Sequence, residues 1–228
     1  MDVFRIVGLG FVDRLGNDKN LLTEGWDHRN GPFLSDLEAV GITPEDVDFV
    51  LCTHLHTDHV GWNTRLENGR WVPTFPKAKY LFTEIEWETT QAYHQTNPLD
   101  HYVDSVLPVM EAGQAQLVRT DFALDDEVRL EPSPGHTMGH VCVHLSSQGQ
   151  QALITGDFIH SPVQCLEPEW IMRADADSEM AGKTRRRLLE RCCENKLVVC
   201  ATHFPEPSFG HVMIRGDAFD FEFLKPEN

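Results

Sequence analysis

Apolar residues recur at helical spacing and then in unbroken runs along the first half of the chain. Leu34, Leu37 and Val40 lie three apart, and Gly41 follows them, which predicts a helix that ends at this glycine. The next apolar stretch, VDFVLCT at residues 47–53, contains no helical period and is rich in β-branched and aromatic residues. It predicts a buried strand.

The rest of the chain continues to alternate between the two kinds of pattern. Further helices are predicted at residues 84–95, 101–112 and 178–195, and further strands at residues 78–84, 116–120, 127–133, 140–147, 151–157 and 196–203. Pro108 weakens the continuity of the second of these helices, because proline cannot donate a helical hydrogen bond. Strands alternating with helices predict an α/β fold in layers, with helices covering the faces of sheets.

Length and charge narrow the classes of protein that fit. A chain of 228 residues is expected to form one domain over residues 1–228, long enough to bury about 70% of its unfolded surface. The net charge of -17 opposes binding to nucleic acid, and the one basic cluster, residues 183–187, is expected to be a solvated helix face. A small-molecule partner is therefore the expectation.

Several features favour a cytoplasmic location. No apolar run reaches the roughly 20 residues that span a bilayer, and the N-terminal residues lack the pattern of a signal peptide. The six cysteines form no C-x-x-C pair and mostly lie in apolar runs, where a reduced thiol packs as a small hydrophobic group. We expect no association with a membrane.

Metal-ligand side chains follow four of the predicted strands. His54, His136, Asp157 and His203 each come directly after an apolar run, and the first of them opens an H-x-H-x-D-H cluster at residues 54–59. Loops that leave one edge of a sheet converge there, so one site could collect all of these side chains. Crowding so many polar groups at a strand end would be costly unless a ligand compensated for it.

The spacing within the cluster predicts two metal ions. His54 and His56, two apart in an extended segment, project to the same side, while Asp58 and His59 can reach a second ion around the turn. The predicted ligands are His54, His56 and His136 for the first ion and Asp58, His59 and His203 for the second, with Asp157 as the bridge. Imidazole and carboxylate ligands suit Zn, with Mn, Fe and Co as alternatives. A single His203 or Asp157, taken alone, is more often a hydrogen-bonded residue or a cap.

The order and spacing of these motifs resemble the metallo-β-lactamase fold superfamily over roughly residues 17–215. The resemblance rests on H-x-H-x-D-H, then Gly135 with His136, Gly156 with Asp157, and finally His203. It implies an αββα sandwich with a dinuclear site at one edge of the two sheets. His56 stands where the oxygen-reducing diiron branch usually carries glutamate, so hydrolysis is the implied chemistry.

The sequences of the loops around the ligands, at residues 61–64, 73–87, 132–145 and 156–164, resemble the branch of quorum-quenching lactonases and methyl parathion hydrolase-like enzymes. That branch implies attack of a metal-held hydroxide on a lactone or ester, with an acyl-homoserine lactone as the favoured substrate and Asp58 as the residue that accepts or relays a proton. Organophosphate triesters and β-lactams are alternative substrates. The alternative from a different functional class is a non-catalytic protein that is stabilised by metal and has an incomplete pocket.

Four residues that flank the motifs are candidates for contact with the substrate: Trp62, Phe158, His160 and Phe204. Packing in the core is an equally good interpretation of the aromatic ones. Relatives also begin with a longer N-terminal part before the segment that resembles LGNDKN at residues 15–20, which predicts a shortened outer sheet. Exposed edge strands can pair with another subunit, so a homodimer is one expectation.

Overall fold

The computed structural model describes residues 6–9 and 31–225, which divide into two compact units at the boundary between Val118 and Arg119. Residues 15–20 lie outside the described residues, so the shortened N-terminal part stays a prediction. The expectation of one domain over residues 1–228 also stays a prediction. Each unit has its own sheet and its own hydrophobic core.

The first unit is built on a parallel sheet. Its strands are β1 (Ile6–Leu9), β2 (Phe49–Cys52), β3 (Thr64–Glu67), β4 (Arg70–Pro73), β5 (Lys79–Thr83) and β6 (Ala115–Val118), and its helices are α1 (Phe33–Ala39), α2 (Glu84–Thr96) and α3 (Leu107–Glu111). Strands β1, β2, β5 and β6 pair in that order and all run parallel, while β3 and β4 form a separate hairpin. The near-continuous apolar sequence of β2 and β5 is typical of parallel strands buried on both faces.

The core of the first unit extends from β2 into the loop that follows it. Leu55, which is 1% exposed, packs in the same cluster as Val50 and Cys52 of β2 and Tyr80 of β5. Because Leu55 lies between His54 and His56, its burial fixes the loop that carries the histidine cluster.

The second unit contains a mixed sheet of six strands. Its strands are β7 (Val128–Pro132), β8 (Val141–Ser147), β9 (Gln150–Ile154), β10 (Val198–Cys200), β11 (Phe209–Arg215) and β12 (Ala218–Phe223), and its helices are α4 (Val163–Leu166) and α5 (Ser178–Glu194). The strand order is β12, β11, β10, β9, β8, β7, and only the β9–β10 pair is parallel. The N-terminus of α5 is capped by Asp177, whose side chain accepts the backbone N–H of Met180.

Helix α5 supplies much of the core of the second unit. Leu188, Leu189 and Cys192 are each at most 1% exposed and pack with Leu153 of β9 and Val199 of β10. The layered α/β class is confirmed, because each of the two cores joins strands to helical or loop residues. Among the described residues, no helix is both long enough and apolar enough to cross a membrane.

The predicted helix at residues 101–112 is divided into two parts. Residues Tyr102–Val106 form a π-helical turn, and α3 begins at Leu107 with Pro108 in its first turn. Pro108 has no N–H to donate to the carbonyl of Asp104, and that carbonyl instead accepts the hydroxyl of Thr64. The weak continuity expected at Pro108 thus takes the form of a change in helix type.

Two features differ from the sequence predictions. The hairpins β3–β4 and β11–β12 were not predicted, although Phe219, Phe221 and Phe223 alternate with polar residues as a half-buried strand requires. The expectation of a solvated face at residues 183–187 is wrong at Arg185, which is 0% exposed. Thr184 is buried as well, whereas Lys183 and Arg187 are exposed, because a 3.6-residue period turns only one side of α5 inward.

Candidate metal centre

The H-x-H-x-D-H cluster of the first unit forms a compact group of side chains at the end of β2. The ring of His54 lies 4.7 Å from that of His56 and 4.1 Å from that of His59, measured between ring centroids. The Nε2 atom of His59 lies 3.5 Å from Oδ2 of Asp58. His54 and His59 are 0% exposed, whereas the Asp58 side chain is 32% exposed. Water therefore reaches Asp58 more easily than it reaches His54 or His59.

Short local contacts and one distant carboxylate hold this loop. The backbone N–H of His59 donates to the carbonyl of His56, which closes the turn, and Thr53 Oγ1 lies 3.1 Å from Nδ1 of His54. The backbone N–H of Leu55 donates to Oε1 of Glu86 at 3.0 Å. Glu86 lies in the first turn of α2 and is only 3% exposed. Its role was missed at the sequence level, because a glutamate in a predicted helix gives no sign of a partner 31 residues away.

In the second unit, three imidazole rings converge on one carboxylate oxygen. The Oδ2 atom of Asp157 lies 3.1 Å from Nε2 of His203, 3.2 Å from Nε2 of His160 and 3.4 Å from Nε2 of His136. The rings of His160 and His203 stack at 5.1 Å. His136 and Asp157 are buried, at 2% and 3% exposed. The structure thus brings together, within this unit, all three of the predicted ligands from residues 119–228.

The backbone around His136 is fixed by the start of α5. Gly135 has a φ of +132°, and a Cβ atom at this position would lie 2.3 Å from the backbone nitrogen of Ala181. The carbonyl of His136 accepts the backbone N–H of Ala176, and the carbonyl of Pro134 accepts the hydroxyl of Thr184. Only glycine allows this close approach, which explains the Gly-His pair of the motif.

Asp175 is a second carboxylate in contact with His136. Its Oδ1 lies 3.0 Å from Nδ1 of His136, its Oδ2 accepts the backbone N–H of Met172 at 2.9 Å, and its side chain is 0% exposed. Burial by itself would raise the pKa of Asp175, but the hydrogen bonds from His136 and Met172 hold the pKa of this carboxyl below its ordinary value. Asp175 was not predicted as a site residue, since it lies in no motif.

The cysteines near the ends of the strands are poor metal ligands here. Burial raises the pKa of Cys52 and of Cys142 to about 12, so both thiols stay protonated at neutral pH. Cys142 donates to the backbone oxygen of Thr155. All six cysteines are free thiols. Among the described residues, the groups of side chains that could hold a metal ion consist of histidines and aspartates.

The four residues predicted to contact substrate lie in different surroundings. Trp62 belongs to the core of the first unit and packs against Phe33, while Phe158 and Phe204 belong to the core of the second. These three are at most 6% exposed, which favours the packing interpretation, and a substrate role for them stays a prediction. His160 alone lies among the ligand-type residues.

The donor atoms of the second unit fit a metal ion. His136, Asp157 and His160 each offer one ligand atom, and these atoms lie within 4.8 Å of one another. Nitrogen and oxygen donors at this separation can coordinate one divalent cation of the Zn, Mn, Fe or Co type. His160 enters this group, although the sequence indicated it as a residue beside the ligands or in contact with the substrate.

The comparisons with known proteins agree on one family. The sequence pattern of the Metallo-beta-lactamase superfamily matches residues 15–203. An N-acyl homoserine lactonase from Bacillus sp is 27% identical over 175 residues, which cover 76% of this chain and 62% of that protein. N-acyl homoserine lactonase AiiB from Agrobacterium fabrum is 30% identical over 99 residues, which cover 43% of this chain and 32% of that protein. The chain spans about three fifths of the length of the Bacillus relative.

Solved structures share the fold. The hydrolase AbOPH of the beta lactamase superfamily is 26% identical with a TM-score of 0.75, over 89% of this chain and 72% of that one. AidC, a dizinc quorum-quenching lactonase, is 20% identical with a TM-score of 0.77, over 98% of this chain and 76% of that one. The second similarity is informative about the fold alone.

Proposed function

The chain belongs to the metallo-beta-lactamase superfamily, and from this premise we propose that it is a metal-dependent hydrolase that opens acyl-homoserine lactones. The observation that carries the proposal is the convergence of the Nε2 atoms of His136, His160 and His203 on one oxygen of Asp157. The similarity to proteins named N-acyl homoserine lactonase supports the choice of substrate.

The proposed ligands combine the histidine cluster of the first unit with the residues that surround Asp157. They are His54, His56, Asp58, His59, His136, Asp157 and His203, and they would hold two divalent cations, with Zn as the first choice and Mn, Fe or Co as alternatives. When bound, such cations supply Lewis acidity, which activates water and polarises the carbonyl of a lactone. Support comes from the motif spacing and from the nitrogen and oxygen donors in each unit.

Asp58 is the proposed proton acceptor. Its side chain is 32% exposed and lies 3.5 Å from the buried His59, so one carboxylate can contact both a ligand histidine and incoming water. A carboxylate in this position can take the proton from water and pass it to the leaving alcohol.

His160 has two candidate roles that experiment can separate. Its Nε2 lies as near to Asp157 as the Nε2 atoms of the other two histidines, and its Nδ1 is buried with no hydrogen-bond partner among the described residues. If His160 is a metal ligand, His160→Gln should weaken metal affinity. If His160 instead contacts the substrate, His160→Gln should lower kcat and leave the metal affinity unchanged.

The proposed activity is tested by proton release at constant pH from acyl-homoserine lactones of increasing chain length. The 228-residue protein loaded with Zn or Mn is compared with Asp157→Ala, and with Asp220→Asn as a matched control. Asp220 is an exposed carboxylate paired with Arg215, so its substitution should leave turnover unchanged. Turnover in wild type and in the control, with loss in Asp157→Ala, supports lactone hydrolysis; no turnover by fully metal-loaded wild type contradicts it.

The cellular location and the oligomeric state are inferred from the sequence rather than from the candidate metal centre. We infer a cytoplasmic location, supported by the six free thiols, and a small molecule rather than nucleic acid as the partner, supported by the charge of -17. The homodimer expected from the sequence stays a prediction, and sedimentation of the metal-loaded protein would test it.

A further inference from the structure

One edge of His136 faces a carboxylate outside the proposed ligand set. Its Nδ1 lies 3.0 Å from Oδ1 of Asp175, while its Nε2 lies 3.4 Å from Oδ2 of Asp157. An ionised carboxylate accepts hydrogen bonds and donates none, so the proton on Nδ1 must point to Asp175. The lone pair of Nε2 then faces an oxygen of Asp157, and two acceptors at that distance repel each other unless a proton or a cation lies between them.

Asp175 is held in place from the other side. Its Oδ2 accepts the backbone N–H of Met172 and lies 3.9 Å from Nη2 of Arg185, too far for a hydrogen bond but close enough for an ion pair. The side chains of Asp175 and Arg185 are 0% and 1% exposed. A buried carboxylate needs such compensation, because an unpaired charge in the interior is costly.

Arg185 binds the loops on both sides of this contact. Its Nε donates to the carbonyl of Phe158, next to Asp157, and its Nη1 donates to the carbonyls of Pro168 and Trp170. One guanidinium therefore joins the segment that begins with Asp157 to the loop that leads to Asp175. Lysine could not do this, since a single ammonium group lacks the planar fork of donors.

We propose that Asp175 and Arg185 are positioning residues for metal binding. Asp175 holds the ring of His136 with Nε2 turned toward Asp157. Arg185 fixes the positions of Asp175 and of the backbone beside Asp157 relative to each other. The inference rests on the proposed function, because it concerns the same cations. It adds two residues that lie outside every motif of the sequence, and it gives the buried arginine of α5 a role beyond packing.

The decisive variant is Asp175→Asn, which keeps the shape of the side chain and removes its charge. Its matched control is Glu131→Gln, which also removes a carboxylate of the second unit, one paired with Arg187 and Arg191 rather than with a histidine. Zn²⁺ affinity is measured by competition with a chromophoric chelator. We expect Asp175→Asn to bind Zn²⁺ about 10- to 100-fold more weakly than wild type, and Glu131→Gln to bind it as wild type does.

A second readout needs neither activity nor metal. In ¹⁵N-labelled wild type, the ring N–H of His136 should be carried by Nδ1 and should exchange slowly with solvent, because the side chain is 2% exposed. Asp175→Asn should speed that exchange, and Glu131→Gln should not. A wild-type ring that carries its only proton on Nε2, or a Zn²⁺ affinity unchanged in Asp175→Asn, would overturn the inference.

A double-mutant cycle tests the link to Arg185. Arg185→Lys should weaken Zn²⁺ binding, and adding it to Asp175→Asn should weaken binding by less than the product of the two single effects. Fully multiplicative effects would overturn the link between the two residues. A wild type that binds no Zn²⁺ would instead contradict the proposed function, while the ring N–H of His136 would still report on the Asp175 contact.

Discussion

The Nε2 atom of His140 accepts a hydrogen bond from the backbone N–H of Asp157 at 2.8 Å. Because Nε2 is the acceptor, the ring proton is on Nδ1, which lies 2.7 Å from Oγ of Ser133. His140 is 0% exposed and precedes β8. This contact holds the backbone of Asp157 in place.

We expect His140→Phe to lower the free energy of unfolding by about 1–3 kcal/mol, because it leaves the backbone N–H of Asp157 buried without an acceptor. Zn²⁺ affinity should fall as well. The control is His211→Phe, which removes a donor to the carbonyl of Leu197 at a partly buried position of β11. Urea unfolding and chelator competition check both values; equal Zn²⁺ affinities in the two variants would contradict the prediction.

Gly135→Ala should destabilise the protein by about 2–4 kcal/mol, through steric overlap of the new Cβ with the backbone of Ala181 together with backbone strain. Gly149→Ala is the matched control. Gly149 also has a positive φ, +79°, but a Cβ there would meet nothing within 4 Å, so the expected cost is about 1 kcal/mol. Denaturant unfolding of both variants measures the difference, and equal costs would show that the contact with α5 is unimportant.

Glu86→Ala should lower the free energy of unfolding by about 1–3 kcal/mol, since the backbone N–H of Leu55 loses its acceptor. Glu86→Gln keeps an oxygen in place and should cost less. Glu84→Ala, at an exposed position in the same turn of α2, controls for helix propensity. Thermal unfolding of the three variants tests the order; a Glu86→Ala protein as stable as Glu84→Ala would exclude a role for this hydrogen bond.

His144 makes the stability depend on pH. Burial, aided by the charge of Arg129, holds the pKa of His144 below its ordinary value of about 6.5. Between the folded pKa and about 6.5 the unfolded chain binds a proton that the folded chain does not, so stability falls as the pH falls through this window. Above about pH 6.5, the contribution of neutral His144 to the free energy of unfolding is fully present.

We therefore expect wild type to lose more free energy of unfolding than His144→Leu between pH 7.5 and pH 5.5. The difference cannot exceed about 1.4 kcal/mol per pH unit, the limit for one proton. Urea unfolding of the metal-free proteins at three pH values measures it, and the other histidines cancel in the comparison. Identical pH dependence in the two proteins would contradict the prediction.

Metal removal should lower stability. Zn²⁺ at about 100 times its dissociation constant should add about 2.7 kcal/mol to the free energy of unfolding, because it binds the folded chain alone. Asp157→Ala should gain less from the same Zn²⁺ concentration. Thermal unfolding with Zn²⁺ and then with excess chelator measures the gain and its reversal; a wild-type Tm that Zn²⁺ does not change would argue against a metal site.

The sequence by itself determined the local parts of this protein. The apolar run of residues 47–53 predicted β2, and the spacing of His54 and His56 predicted that the two rings lie together, as their 4.7 Å separation confirms. Such predictions succeed because strand and helix periods act between residues close in sequence. The family motifs likewise indicated His136, Asp157 and His203, which the structure brings together around one oxygen.

Only the tertiary structure decided which residues support those side chains. Glu86 reaches Leu55 across 31 positions, and Asp175 reaches His136 across 39. Arg185, which the charge pattern assigned to solvent, is buried and donates to the carbonyls of Phe158, Pro168 and Trp170. These contacts have no period and no fixed spacing, because they depend on how loops fold back against a helix after the core has formed, and a buried polar group takes whichever partner that packing brings within reach.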